Sequence, residues 1–209
     1  MDEAFRAKRI LELLGREYPD ATTALVHKNP FELLVATILS AQCTDERVNL
    51  VTGELFKKYK TPADFSNAEI GELEKLVYST GFYKNKAKNI KAASRMLVED
   101  FAGDVPDNMD GLLKLPGVAR KTANIVLTYG FGKNEGIAVD THVARLSLRL
   151  GFSQSKNPEK IEEDLMRLFD RANWGLINTL LVSHGRKICN AKKPMCCGCV
   201  IMDVCLSKK

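Results

Sequence analysis

Apolar residues recur at helical spacing along almost the whole chain. Residues 4–17, AFRAKRILELLGRE, put Phe5, Ile10, Leu13 and Leu14 on one face of a first helix. Asn29 then reads as a cap, with Pro30 at the first helical position and Glu32 three residues on. The helix that follows, PFELLVATILSA, is apolar nearly all round, which predicts the central buried element. Thr44 or Asp45 caps a third helix through Lys58, with Val48, Val51 and Leu55 inward. Ser66 and Glu69 read as a capping box for a helix carrying Ile70, Leu73, Leu76 and Val77, which stops at Thr80-Gly81.

Phe82 and Tyr83 stand at a loop tip, and residues 84–101 form the next helix. Lys84, Lys88, Lys91 and Arg95 share one of its faces; Tyr83, Ala87, Ile90 and Leu97 share the other. A short helix over 109–114 leads to LPGVARKTANIVLTYG. There Pro116 and Gly117 make a turn, and a helix starting near Arg120 or Lys121 carries Ala123, Val126 and Leu127 on one face. Further helices follow at 141–150 and at 158–170, the second with Asn157 as cap, Pro158 first, and Ile161, Leu165, Leu168 and Phe169 inward. A last one runs from Trp174 to His184 and ends at Gly185. No stretch alternates with period two for long, so the fold class is all-α, with about ten helices. No internal repeat, low-complexity tract or long linker interrupts it.

Composition changes this picture little, and charge changes it more. The 209 residues are 45% hydrophobic and 27% charged, as in ordinary globular proteins. No apolar run approaches the roughly 18–20 residues that a membrane span needs. The N-terminus reads as an amphipathic helix and not as a signal peptide, so a cytoplasmic protein with no membrane contact is expected. The net charge of +5 is concentrated in residues 186–209. Arg186, Lys187, Lys192, Lys193, Lys208 and Lys209 face only Asp203 there, and the rest of the chain balances. Such a concentration suits a polyanionic partner, though a solvated tail has the same composition.

Five of the six cysteines lie in that tail. Cys189, Cys196, Cys199 and Cys205 are spaced C-x6-C-x2-C-x5-C, and such clustering reads as metal binding before disulfide bonding. Four thiolates suit zinc or a 4Fe–4S cluster, and the spacing leaves both open. Cys197 cannot replace Cys196 without changing both neighbouring spacings, so it stands outside the set.

The densest chemistry lies at residues 115–142. The helix after the Pro-Gly turn has free N–H groups and positive potential at its start, which suit a nucleic-acid phosphate; an ordinary helical corner has the same shape. Lys121 sits in that positive first turn, where the field and any desolvation favour the neutral, nucleophilic amine. Asp140, in AVDTHVAR, reads as a helix N-cap whose carboxylate is also available for acid–base work. Each residue alone has a bland reading, as a solvated lysine and a simple cap.

LPGVARKTANIVL followed by AVDTHVAR resembles the endonuclease III family of the helix-hairpin-helix DNA glycosylases. The resemblance extends to SAQCTD at 40–45, GFYKNKAKNI at 81–90, and HGRKIC with the cysteine tail. It departs at Ala119, where the familiar hairpin, LPGVGRKTA, has a second glycine. The resemblance implies a helical domain over 22–133 with the hairpin motif at about 109–128, and a second domain from 1–21 plus 134–209 with a cluster loop at 189–205. It implies a cleft between them holding Lys121 as nucleophile and Asp140 as its assistant. It assigns Cys189, Cys196, Cys199 and Cys205 to a structural 4Fe–4S cluster, with no catalytic metal.

The DNA contacts implied are Gln42, Asp45, Phe82, Lys84, Gly117, Ala119, Arg120, Thr141, His142, Arg186, Lys192 and Lys193. Gln42 and Phe82 would fill the gap left by an extruded nucleotide. The function implied is a bifunctional DNA glycosylase and abasic-site lyase. It would act as a monomer on double-stranded DNA holding damaged pyrimidines or abasic sites. The rival readings are a monofunctional mismatch glycosylase, which would lack the hairpin lysine, and a non-catalytic helix-hairpin-helix DNA-binding protein.

Overall fold

The computed structural model describes residues 2–208; Lys209, counted above in the basic tail, lies outside them. In chain order the helices are α1 (Glu3–Glu17), α2 (Pro30–Leu39), α3 (Asp45–Lys58), α4 (Pro62–Asn67), α5 (Ile70–Val77), α6 (Tyr83–Asp100), α7 (Met109–Lys114), α8 (Arg120–Ile125), α9 (Thr141–Leu150), α10 (Pro158–Leu168) and α11 (Trp174–Lys187). The described residues hold no strand, so the class is all-α as expected. The chain divides into two compact units, Thr23–Lys133 and Met1–Thr22 with Asn134–Lys209.

The Thr23–Lys133 unit is built round α2. Every residue from Phe31 to Leu39 is buried, as its unbroken apolar sequence requires. Asn29 caps it by accepting from the Glu32 N–H (2.9 Å), and the Glu32 carboxylate reaches back to the Lys28 N–H (2.7 Å). The centre of this core is Phe65, fully buried, with the rings of Phe31, Tyr59 and Phe56 at 5.4, 5.3 and 6.4 Å. Phe65→Ala would remove that hub and leave a cavity, at a cost of about 3–5 kcal/mol. Urea unfolding followed by circular dichroism should show that loss, and a shift under 1 kcal/mol (about one-third of the smallest expected) would mean that the core closes over the gap.

Phe65 lies on α4, and this helix corrects the capping box expected at Ser66 and Glu69. The box is formed one element earlier. Thr61 Oγ1 accepts from the Asp64 N–H (3.2 Å), and Asp64 Oδ2 accepts from the Thr61 N–H (2.9 Å). Pro62 starts that helix, which leaves Ser66 inside it. Glu69 precedes α5 without a side-chain cap.

The second unit packs α1, α9, α10 and α11 about Ile10, Leu14, Val143, Leu146, Leu165 and Leu180. Phe5, expected inward, is 61% exposed. Rotation of about 100° per residue puts it opposite Ala7, Ile10 and Leu14. Arg6 is buried in its stead. Its guanidinium donates to the Leu150 carbonyl and lies 5.7 Å from the centre of the Phe152 ring. Gly185 also departs from expectation, since α11 continues through it to Lys187. It permits close packing. A Cβ there would lie 2.8 Å from His142 Nδ1 and 3.0 Å from Arg145 Nη2, both on α9. No described helix is long and apolar enough to cross a membrane.

Candidate active site and cysteine loop

The hairpin between α7 and α8 is held by a Val118 N–H to Leu115 carbonyl bond (3.1 Å), with both side chains buried. Gly117 has φ +79°, and a Cβ on it would meet Asn89 Cβ at 2.8 Å and Nδ2 at 2.9 Å. Backbone conformation and space therefore both demand glycine. Ala119, the departure from the family hairpin, has φ −99° and ψ 170° and serves as the N-cap residue of α8. That extended conformation costs alanine nothing. Arg120 and Lys121 open the helix, with Lys121 exposed in its first turn. After Ile125 the helix widens into a π turn, Val126–Gly130, a local form that recurs near functional sites.

In the other unit, Asp140 is the N-cap of α9. Its Oδ1 accepts from the Val143 N–H at 2.8 Å, and the residue is half-buried. A carboxylate has two oxygens, so the cap uses only part of its capacity. Thr141 is exposed, whereas His142 is half-buried over Gly185, 3.1 Å from Arg145 Nη2.

Beyond α11 the chain turns repeatedly on itself. Cys189 N–H donates to His184, Met195 N–H to Ile188, Cys199 N–H to Cys196 and Cys205 N–H to Met202. These turns bring Cys189, Cys196, Cys199 and Cys205 to the wall of one cavity of about 250 Å³, and Cys197 is exposed outside it. Among the described residues no three His, Cys, Asp or Glu side chains are grouped to hold a single metal ion. Four thiols lining one cavity suit zinc or a 4Fe–4S cluster. Burial pushes the Cys199 thiol up, against a backbone hydrogen bond at Ile201, and the neighbouring Cys205, Cys189 and Cys196 push it further. Thiolates at these four positions would be compensated by a bound cationic centre.

Comparison with known proteins matches residues 35–171 to the HhH-GPD superfamily of base excision DNA repair proteins. Endonuclease III of Synechocystis is 50% identical over 97% of this chain and 92% of its own length. That of Bacillus subtilis is 47% identical over 93% and 89%. The chain belongs to the endonuclease III family. A solved structure of a trapped covalent intermediate between endonuclease III and DNA superimposes with TM-score 0.94 at 42% identity, covering 100% of this chain and 98% of that one. As a member of the family, the chain is a base-excision repair enzyme, a DNA glycosylase and abasic-site lyase.

The other residues that the family resemblance singles out fall as follows. Gln42 is exposed with φ +53°, and Phe82 is 64% exposed with φ +47°. Left-handed conformations at such residues cost on the order of 1–3 kcal/mol each and persist only where the surroundings impose them. Asp45 is half-buried at the start of α3, whose cap is Thr44; the Arg47 N–H donates to Thr44 Oγ1 (3.3 Å). Lys84 is exposed in the first turn of α6. The basic stripe below it is not all free. Lys91 donates to the Ala68 carbonyl (2.5 Å) and Arg95 pairs with Glu99 (2.7 Å). Arg186, Lys192 and Lys193 are exposed, while Lys187 lies 5.1 Å from the Tyr18 ring centre.

Four side chains escaped the sequence reading. Arg149 donates to Cys189 Sγ (3.1 Å) and to the carbonyls of Asn190 (2.9 Å) and Ala191 (2.8 Å), and Arg145 donates to the Cys189 carbonyl (3.1 Å). Together they fasten the cysteine loop to α9, the helix that Asp140 caps. Their i,i+4 spacing on α9 was the available signal. His184 is buried, with Tyr18 Oη at 3.0 Å from one ring nitrogen and Cys199 Sγ at 3.4 Å from the other; burial lowers its pKa to about 4. The fourth, Lys86, is buried in the hairpin-bearing unit.

Proposed function

We propose that the chain removes oxidised pyrimidines from double-stranded DNA and then cleaves the abasic strand through Lys121, acting as an intracellular monomer. The observation that carries this reading is the exposed lysine in the first turn behind a glycine-dependent hairpin. The Lys121 amine attacks sugar C1′ through its nitrogen lone pair, and the bond from C1′ to the base breaks. Ring opening leaves a Schiff base between Lys121 and C1′. Loss of a proton from C2′ then expels the 3′ phosphate oxygen and cuts the strand. Asp140, with one oxygen in the cap, assists this chemistry as a proton acceptor and by stabilising positive charge developing on the sugar. The hairpin amides, with Gly117, Ala119 and Arg120, hold a phosphate, and Thr141 and His142 also contact the DNA. Asp45, beside Gln42, and Lys84 contact the DNA as well. Gln42 and Phe82 occupy the gap that the extruded nucleotide leaves.

Cys189, Cys196, Cys199 and Cys205 would hold a 4Fe–4S cluster, whose place here is structural. With the cluster bound, the loop carrying Lys192 and Lys193 would stay folded so that those amines, with Arg186, could meet phosphates. A mismatch-specific monofunctional enzyme would not need Lys121. A gel assay on duplexes carrying thymine glycol, other oxidised pyrimidines, mismatched adenine or mismatched thymine separates the two. Release of the oxidised pyrimidines with strand cleavage is expected, and release of mismatched bases alone would overturn the reading.

The basic loop has its own test. Log K for DNA should fall with log salt by about 0.9 per phosphate contact, so Lys192→Ala with Lys193→Ala should flatten the slope by up to about 1.8. Lesion preference should be unchanged. An unaltered slope would show that the loop does not touch DNA.

A further inference from the structure

Lys86 is only 4% exposed, and its ammonium is bonded to two backbone carbonyls, Leu39 at 2.7 Å and Thr80 at 2.7 Å. Leu39 is the last residue of α2, three residues before Gln42, and Thr80 lies two residues before Phe82. The two residues proposed to fill the DNA gap thus sit on segments that are far apart in sequence but tied to one buried cation. Both hold left-handed backbones that no glycine relieves. The carbonyl at the end of α2 is one of those a helix leaves unpaired, at its negative pole, so a cation fits there. Burial pulls the Lys86 ammonium below the usual lysine range, with the Cys43 thiol opposing that. An arrangement that sacrifices solvation for two carbonyls serves to fix a distance.

We propose that Lys86 is a positioning residue that sets Gln42 and Phe82 at a fixed separation, so that both enter the base stack together when the damaged nucleotide leaves it. The proposal rests on the gap-filling reading of those two residues. It does not involve the Lys121 chemistry. Substrates that present no stack to fill should therefore depend on Lys86 far less than duplex DNA does.

The experiment compares single-turnover base release from a thymine-glycol duplex with borohydride trapping on a single-stranded abasic oligonucleotide. Lys86→Met, which keeps the stem and removes the ammonium, should lower the ratio of the two rates by up to about 10²-fold, the scale of a misplacement of about 1 Å. Lys86→Arg, which keeps the cation, should restore part of it. Hydrogen exchange should quicken in Lys86→Met at both 40–44 and 80–83. Gln42→Ala and Phe82→Ala report on the underlying reading. If both leave the ratio unchanged, gap filling by these residues is wrong. If they lower it and Lys86→Met does not, the gap-filling reading stands and the positioning role falls. Should Lys86→Met fail to fold, Lys86→Arg decides: its longer fork must disturb exchange in both segments together, and disturbance of one alone would overturn the tie.

Discussion

Lys121→Gln is expected to abolish borohydride trapping on abasic or thymine-glycol DNA, since no amine remains to form the Schiff base. Turnover should fall on the order of 10⁴-fold or more, the scale of removing a nucleophile. Binding to the lesion should persist, because the hairpin amides and the fold that makes them available do not use the side chain; Lys121 is exposed. Asp140→Asn provides the companion measurement. Asparagine caps a helix about as well as aspartate, so the Val143 N–H keeps an acceptor and stability should change by less than about 0.5 kcal/mol. Activity should drop by roughly 10²–10⁴, because the amide cannot take a proton. Near-normal turnover in Asp140→Asn would leave that carboxylate as a cap and nothing more. Full trapping by Lys121→Gln would assign the chemistry to another amine.

Cys199→Ser is expected to lose the iron and with it much of the second unit's folding energy. The purified native protein should be yellow-brown, with broad visible absorbance and about four irons per chain. Cys199 lines the cavity together with Cys189, Cys196 and Cys205, and its backbone takes part in the turns that shape the loop. A serine there presents a poorer ligand in a site already crowded by three other thiols. Cys197→Ser should keep both iron and stability, since Cys197 is exposed and outside the cavity. A colourless native protein holding one zinc would refute the cluster assignment.

The individual helices were legible because each needs only its own periodicity and ends. The buried α2, the Asn29, Asn157 and Asp140 caps and the Gly81 stop follow from residues within one turn of each other. The misreadings arose where a neighbour outranked local chemistry. Ser66 and Glu69 look like a capping box, but Thr61, Pro62 and Asp64 start a helix first. Gly185 resembles a stop signal, yet packing against His142 is what requires it.

The chain's own sequence determined that it is helical, that residues 115–142 carry a hairpin with a lysine and a capping aspartate, and that four cysteines are spaced to share one centre. Those properties depend on spacing along the chain, and spacing is a property of sequence. Tertiary structure decided which charges are spent internally. Lysine and arginine look alike in a sequence whether solvated or buried. Only packing shows that Lys86 joins the carbonyls of Leu39 and Thr80, that Arg6 is buried where Phe5 was expected, and that Arg149 is bound to the cysteine loop. A buried cation is tolerable only where oxygen or sulfur acceptors converge on it, and here those acceptors come from residues as far as 47 positions away from Lys86 and 144 from Arg6.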